Sequence, residues 1–238
     1  MLRRIRIACA GLFLLLASGA GQAAGLSVTP ISLEFAPAVP VQALWLSNTG
    51  EQQLDAQLRA YAWTQGAAGD QLAPSRELVL SPPMVSLQPG QRQLVRVVRA
   101  GTAGTAEQAW RILVDELPVA KPQQGLNFVM QFSIPVFADT PAGAVPRTTW
   151  TLQREAGRPV LVTRNHGARR AKITELGLLD AQGRSLQQRA GLLGYVLPGA
   201  ERRWPLDLED KTNNAVEIQA QINGEAIRQK LSADSGAR

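Results

Sequence analysis

The stretch GLNFVMQFSIPVF, Gly125 to Phe137, places Leu126, Phe128, Met130, Phe132, Ile134 and Val136 on every second position, with Asn127, Gln131 and Ser133 among the residues between them. That is the period of a β-strand with one apolar face. At about 3.4 Å per residue the run would reach roughly 40 Å, about twice an ordinary strand. The core of a small sandwich is too short for such a row. The pattern therefore predicts a strand that buries part of its apolar face in its own domain and offers the rest elsewhere; the plainer alternative is that the whole row packs one core.

The rest of the chain keeps the same rhythm. From Leu26 onward come LSVTPISLEF, VQALWLSN, LDAQLRAYAW, ELVLSPPMVSL, QRQLVRVVRA and QAWRILVDEL, separated by SNTG, GAAGD, SPP, LQPGQ, AGTAG and PVAKPQQG. Short alternating segments between Gly, Pro and Asn turns, with no apolar stripe of helical period, describe an all-β immunoglobulin-like sandwich of seven strands. ADTPAGAVPR, Ala138 to Arg147, reads as a linker, after which TWTLQRE, RPVLVTRN, RAKITELGLLD, RSLQQRA, GYVLP, ERRWPLDLE, AVEIQAQI and EAIRQKLS repeat the pattern. The expected layout is a leader at 1–23, a first β-sandwich domain at 24–138, a linker at 139–147 and a second β-sandwich at 148–238. Asn223-Gly224 should turn the last hairpin.

The leader expectation rests on Arg3, Arg4 and Arg6 ahead of the apolar run Ile7 to Ala17. The run is too short to span a bilayer, and Gly21 and Ala23 suit cleavage after Ala23 or Ala24, so the chain reads as exported and not membrane-embedded. Cys9 is the only cysteine and lies inside the leader, leaving the mature domains to hold together by core burial. Of 25 Lys and Arg the leader takes three, leaving 22 against 19 acidic residues, or +3. Without a lysine-rich run or a basic stripe interleaved with aromatics, nucleic acid is not the expected partner.

Catalytic chemistry finds no foothold. His166, the sole histidine, sits in TRNHGARR with no local carboxylate or serine arrangement, and reads as a turn residue rather than a metal ligand or triad member. Asp115 and Glu116 are adjacent on a strand and so point to opposite faces. There is no GxSxG, HExxH, P-loop or dinucleotide fingerprint. No enzyme activity, metal or cofactor is expected.

Read in order, these segments resemble the periplasmic chaperones of chaperone-usher pili. SPPMVSLQPGQRQLVRVV, Ser81 to Val98, is similar to the family's paired prolines, Pro-Gly turn and Val-Arg strand. QAWRILVDELP, Gln108 to Pro118, resembles its strand ending in an acidic, Leu-Pro corner, and GLNFVMQFSIPVF stands where the family carries its donor strand. RPVLVTRNHG and GYVLPG resemble turns of the archaic branch, which assembles thin, spore-coat-like pili. The resemblance implies that pilus subunits lacking a final strand borrow one from the chaperone, which then delivers them to an outer-membrane usher; β-strand addition of this kind is a named example of peptide recognition. Leu126, Phe128 and Met130 match the donor positions, with Phe132 as a fourth. Burying four such side chains, at roughly 1.5 to 3 kcal/mol each, offers about 6 to 12 kcal/mol before ordering and docking costs.

Two departures matter. The better-known branches fix the subunit's terminal carboxylate with a basic pair, and the matching positions here are Ser32 and Pro135. A carboxylate in a cleft still favours a bidentate cation, and Arg111 is the expected substitute, ahead of Arg96 and Arg99, against the reading of an ordinary strand arginine. The family's interdomain ion pair also lacks its basic member, because Asp139 stands where one is expected opposite Glu107. The rival reading is a structural or adhesive two-domain component of a surface fibre. An exported hydrolase, needing two acids facing across a groove, comes third.

Overall fold

In the structure, a computed structural model, residues 25–37, 39–66, 69–101, 104–118, 128–206 and 215–232 are described. The expected leader, 1–23, and Leu126 lie outside them. No described residue is in an α-helix, so among the described residues no helix is long and apolar enough to cross a membrane.

Among the described residues ten strands precede Asp139: β1 (Leu26–Thr29), β2 (Leu33–Glu34), β3 (Val41–Asn48), β4 (Leu54–Gly66), β5 (Gly69–Pro74), β6 (Leu78–Ser81), β7 (Met84–Leu87), β8 (Arg92–Arg99), β9 (Gln108–Glu116) and β10 (Gln131–Ala138). They form one sheet in the order β1-β3-β8-β6 and another in the order β2-β10-β9-β4-β5, with β7 beside β4. Alternation does the packing: Leu44 and Leu46 of β3, Val95 and Val97 of β8, and Trp110, Ile112 and Val114 of β9 turn inward to one core.

The excess over seven strands has two sources. LSVTPISLEF divides so that β1 joins one sheet and β2 the other, and ELVLSPPMVSL divides at Ser81-Pro82 in the same way. β5 has no apolar face to announce it; it exists because β4 overshoots the sandwich and folds back on itself as a hairpin.

The second domain contains β11 (Thr148–Glu155), β12 (Arg158–Asn165), β13 (Ala171–Leu179), β14 (Ser185–Val196), β15 (Glu201–Pro205), β16 (Glu217–Ile222) and β17 (Glu225–Lys230). Its sheets run β11-β12-β15 and β14-β13-β16-β17 around a core that includes Trp150, Leu161, Ile173, Leu178 and Ile218. RSLQQRA and the start of GYVLP fuse into the single strand β14. Gly194 makes this possible, since a Cβ there would come 2.7 Å from the Trp204 ring. Asn223 and Gly224 both have positive φ, 53° and 92°, as a type I′ hairpin turn requires.

The two domains share a buried device. Asn48 Nδ2 donates to the carbonyls of Gln52 and Leu87 while its Oδ1 accepts from Gly50 N–H. Asn165 Nδ2 donates to Arg169 and Val196, and its Oδ1 accepts from Gly167 and Arg147 N–H. In each domain an Asn-x-Gly turn is thereby tied to a Pro-Gly turn across the sandwich, with Gly90 and Gly199 N–H donating to the Asn48 and Asn165 carbonyls.

Candidate functional site: a free sheet edge above an interdomain cleft

β10 decides what the first domain can offer. It pairs along its length with β9, Phe132 opposite Val114, Ile134 opposite Ile112 and Val136 opposite Trp110. On its other side β2 covers only Val136 and Phe137, in parallel. Among the described residues nothing pairs the outer edge from Gln131 to Pro135. The Phe137 carbonyl accepts from Phe35 N–H on the β2 side, whereas the Met130 carbonyl accepts from Glu116 N–H on the β9 side. Backbone groups alternate in direction along a strand, so Gln131 and Ser133 present N–H and C=O outward and Pro135 presents its carbonyl alone. Pro135 thus stands where no donor is missed, at the border between the bare edge and β2.

The apolar row crosses from inside to outside along this strand. Val136 is fully buried and Ile134 3% exposed; Phe132 is half-buried against the first domain's core; Met130 is 38% exposed and Phe128 76%. The cause is visible on β9, where the core-facing series Trp110, Ile112, Val114 ends in Glu116 beside Met130. Regular pairing starts only at Gln131, so the expected strand from Gly125 is shorter here: Phe128 and Met130 are described but lie outside the ladder. Leu126 lies outside the described residues.

The opposite face of the same sheet meets the second domain. Tyr61, Arg111 and Pro135 are cross-strand neighbours on that face. Farther along, Trp63 and Phe137 pack with Tyr195 and Leu197 of the second domain in a separate apolar cluster, the Trp63 and Tyr195 rings edge to face at 5.7 Å. Gln65 ties the β4–β5 hairpin to β14: its Nε2 donates to the Tyr195 carbonyl (2.9 Å), and its Oε1 accepts from Leu197 N–H (2.8 Å).

Arg111 sits in this cleft with its side chain only 15% exposed. The guanidinium lies 3.8 Å over the Trp63 ring and 5.7 Å from that of Tyr195. Burial lowers its pKa from the ordinary arginine value, and Asp70 offsets this in part. Among the described residues its hydrogen bonding amounts to one contact with the Ser133 carbonyl at 3.5 Å, and its ion pair with Asp70 is stretched to 4.0 Å. A guanidinium has five N–H donors, so most of this one's capacity is unspent.

The other arginines weighed from sequence do not reach this place. Arg96 is exposed on the other sheet, opposite Ala43 and Ser81. Arg99 is engaged by Asp139, with Nη1 to Oδ1 at 2.7 Å, beside an apolar-lined cavity of about 640 Å³ that includes Phe35 and Val39. Ser32 is exposed and Pro135 buried.

Sequence reasoning missed the basic partner across the domain boundary. Arg170, 8% exposed, pairs with Glu107 at 2.7 Å and with Glu34, donates its backbone N–H to Glu107, and lays its guanidinium 3.8 Å over Phe137. The interdomain ion pair is present with its cation supplied by the second domain, while Asp139 is taken up by Arg99. The signal was the Arg169-Arg170 pair after the Asn-His-Gly turn, which the turn itself delivers to the boundary. His166 Nε2 lies 3.1 Å from Thr149 Oγ1, and the described residues contain no cluster of His, Cys, Asp and Glu suited to a metal.

A family profile described as pili and flagellar-assembly chaperone, PapD N-terminal domain, matches residues 25–143, half of the chain. The chain belongs to that family. Among solved structures it is similar to a chain of the CsuC–CsuE chaperone–tip adhesion subunit pre-assembly complex from archaic chaperone-usher Csu pili of Acinetobacter baumannii: 24% identity, TM-score 0.68, covering 87% of this chain and 98% of that one. The E. coli chaperone DraB is similar at 19% identity and TM-score 0.59, covering 87% and 96%. So is the Salmonella enterica SafA pilin in complex with the SafB chaperone, at 15% and 0.59, covering 88% and 95%. At these identities the likeness is one of fold. A search of curated proteins found no match.

Proposed function

We propose that this protein is a periplasmic chaperone of the archaic chaperone-usher branch, which binds pilus subunits by lending them β10 and the residues before it, and passes them to an outer-membrane usher. The observation that carries this reading is the apolar row that leaves its own core at Phe132 while, among the described residues, nothing pairs the edge beside it. Phe128, Met130 and the outer part of Phe132, with Leu126 ahead of them, are the side chains offered to a subunit. The outward groups of Gln131 and Ser133 supply the ladder. Left bare, such an edge invites indiscriminate pairing, and a subunit lacking a strand is its fitting occupant.

The geometry also gives a direction. β2 runs parallel to β10 and begins where the bare edge ends, so a guest strand in line with β2 would finish beside Pro135 and Arg111. Its terminal carboxylate would there meet a guanidinium with donors to spare. The residues before Gly25 are proposed to be the export leader. No metal, nucleotide or other cofactor enters this reading.

Co-expression with the subunits encoded beside it, followed by copurification, tests the proposal. Phe128→Asp with Met130→Asp should abolish capture while thermal unfolding is unchanged. Arg111→Ala should weaken capture with the fold intact. Undiminished copurification of the double variant would overturn the donor role.

A further inference from the structure

β9 ends in two adjacent carboxylates, and alternation turns them to opposite faces of the sheet. Asp115, opposite Gln131, belongs to the face that carries Arg111. Its Oδ1 accepts from Gln131 Nε2, while its Oδ2 is held by Arg59 through Nε at 3.2 Å and Nη2 at 2.7 Å. Glu116 engages Met130 twice: its backbone N–H donates to the Met130 carbonyl at 2.8 Å, and its Oε2 accepts from Met130 N–H at 3.2 Å. Gln131 opens the regular ladder and Met130 stands immediately before it. The two acids therefore grip the point at which the apolar row departs.

Little else holds that point. Met130 is 38% exposed and Phe132 only half-buried, so side-chain packing fades here. β9 has no further N–H to give: that of Leu117 is committed to the Asp55 carbonyl at 2.8 Å. The next residue, whose N–H would turn back toward the donor segment, is Pro118, which has none. A ladder that stops in this way frays at its last rung.

We propose that Asp115 and Glu116 are positioning residues, a paired latch that keeps Met130 and Gln131 in line with β10 and so presents Phe128, Met130 and Phe132 to a guest as one ridge. This rests on the strand-lending reading above and deepens it. Arg59 orients Asp115, and Asp115 fixes the Gln131 side chain on one face of the sheet. Glu116 satisfies both backbone groups of Met130, the carbonyl with its own N–H and the N–H with its carboxylate. Ordering the segment in advance lowers the entropy cost that a guest must offset. The latch leaves free the outward N–H and C=O of Gln131, which the guest's ladder needs.

The test has a guest-free arm and a guest arm, both on the full chain. In the first, amide exchange followed by NMR should show Met130 N–H exchanging about tenfold faster in Glu116→Ala, with the Ile134 and Val136 amides unchanged. Glu116→Gln, whose side-chain carbonyl can still accept, should stay near the wild-type rate. An unchanged Met130 rate in Glu116→Ala overturns the latch. Equal acceleration at Ile134 does so too, because Glu116 would then support the sandwich as a whole. In the second arm, wild-type and variant chains compete for the co-expressed subunits encoded beside the protein, and the share of subunit copurifying with each is read. Glu116→Ala and Asp115→Ala should each lose about fivefold to wild type, as a higher ordering cost predicts, while Glu116→Gln holds its share. Faster Met130 exchange with an undiminished share overturns the positioning role. Capture by no chain, wild type included, counts against strand lending itself, a failure the guest-free arm does not share.

Discussion

Ile134 and Phe128 belong to one alternating row of the sequence and differ little in hydrophobicity, yet one is sealed and the other is among the most exposed large apolar side chains described. The difference lies in what stands opposite. Ile134 faces Ile112, and beyond that Ala60, with β2 closing the edge shortly after it. Phe128 lies past Glu116, where β9 has stopped supplying apolar partners. A hydrophobic residue is therefore core or bait according to the length of its neighbours, and the apolar row is both because it outlasts them.

The largest expected effect sharpens that contrast from the buried side. Ile134→Ala removes part of a closed core and should cost about 2–5 kcal/mol of unfolding free energy in a denaturant titration. A cost near zero would mean that the buried half of the row is as dispensable as the exposed half.

Next comes the clamp that follows the buried end. Asp139 accepts from Arg99, and its carboxyl is held below the usual carboxylate range, first by the Arg99 hydrogen bonds and then by the Gly104 N–H, against the opposing effect of burial. Asp139→Asn keeps the shape and tolerates the local φ of 55°, but should cost about 1.5–3 kcal/mol as a charge-assisted bond is lost. The sign with pH follows. A depressed carboxylate stabilises the fold above its unfolded pKa of about 3.9, and that contribution fades as pH falls through the lower folded value. Wild-type and variant midpoints should converge in acid; a gap that stays constant down to about pH 2 would break the assignment.

The smallest effect is the most telling for function. Phe128→Ala should leave stability within about 0.5 kcal/mol, since the side chain has little packing to lose. A loss comparable to that of Ile134→Ala would join the two halves into one core and dissolve the comparison.

Much of the first domain could be read from period alone: β3, β8 and β9 fall where alternation and turn residues put them, because each has one wet and one dry face. β5 could not be read, since a hairpin extension without an apolar side leaves no periodic trace. The Asn-x-Gly turns were visible as turns, but not as buried hubs, because their partners Leu87 and Val196 are distant in sequence. Arg111 was legible as a candidate from its residue type. Its stacking on Trp63, and the company of Asp70, were not.

By itself, the sequence determined much of the local part of this protein: most of its strands, many of its turns, and that one apolar row is too long for its domain. Side-chain alternation is a property of the backbone and needs no partner to be expressed. Tertiary structure alone decided where the row leaves the core, that the domain boundary is tied by Arg170, and that Asp115 and Glu116 hold the point where the row departs. Those outcomes depend on where neighbouring strands end and how two sandwiches abut, and charges and edges acquire their meaning only from what is placed across from them.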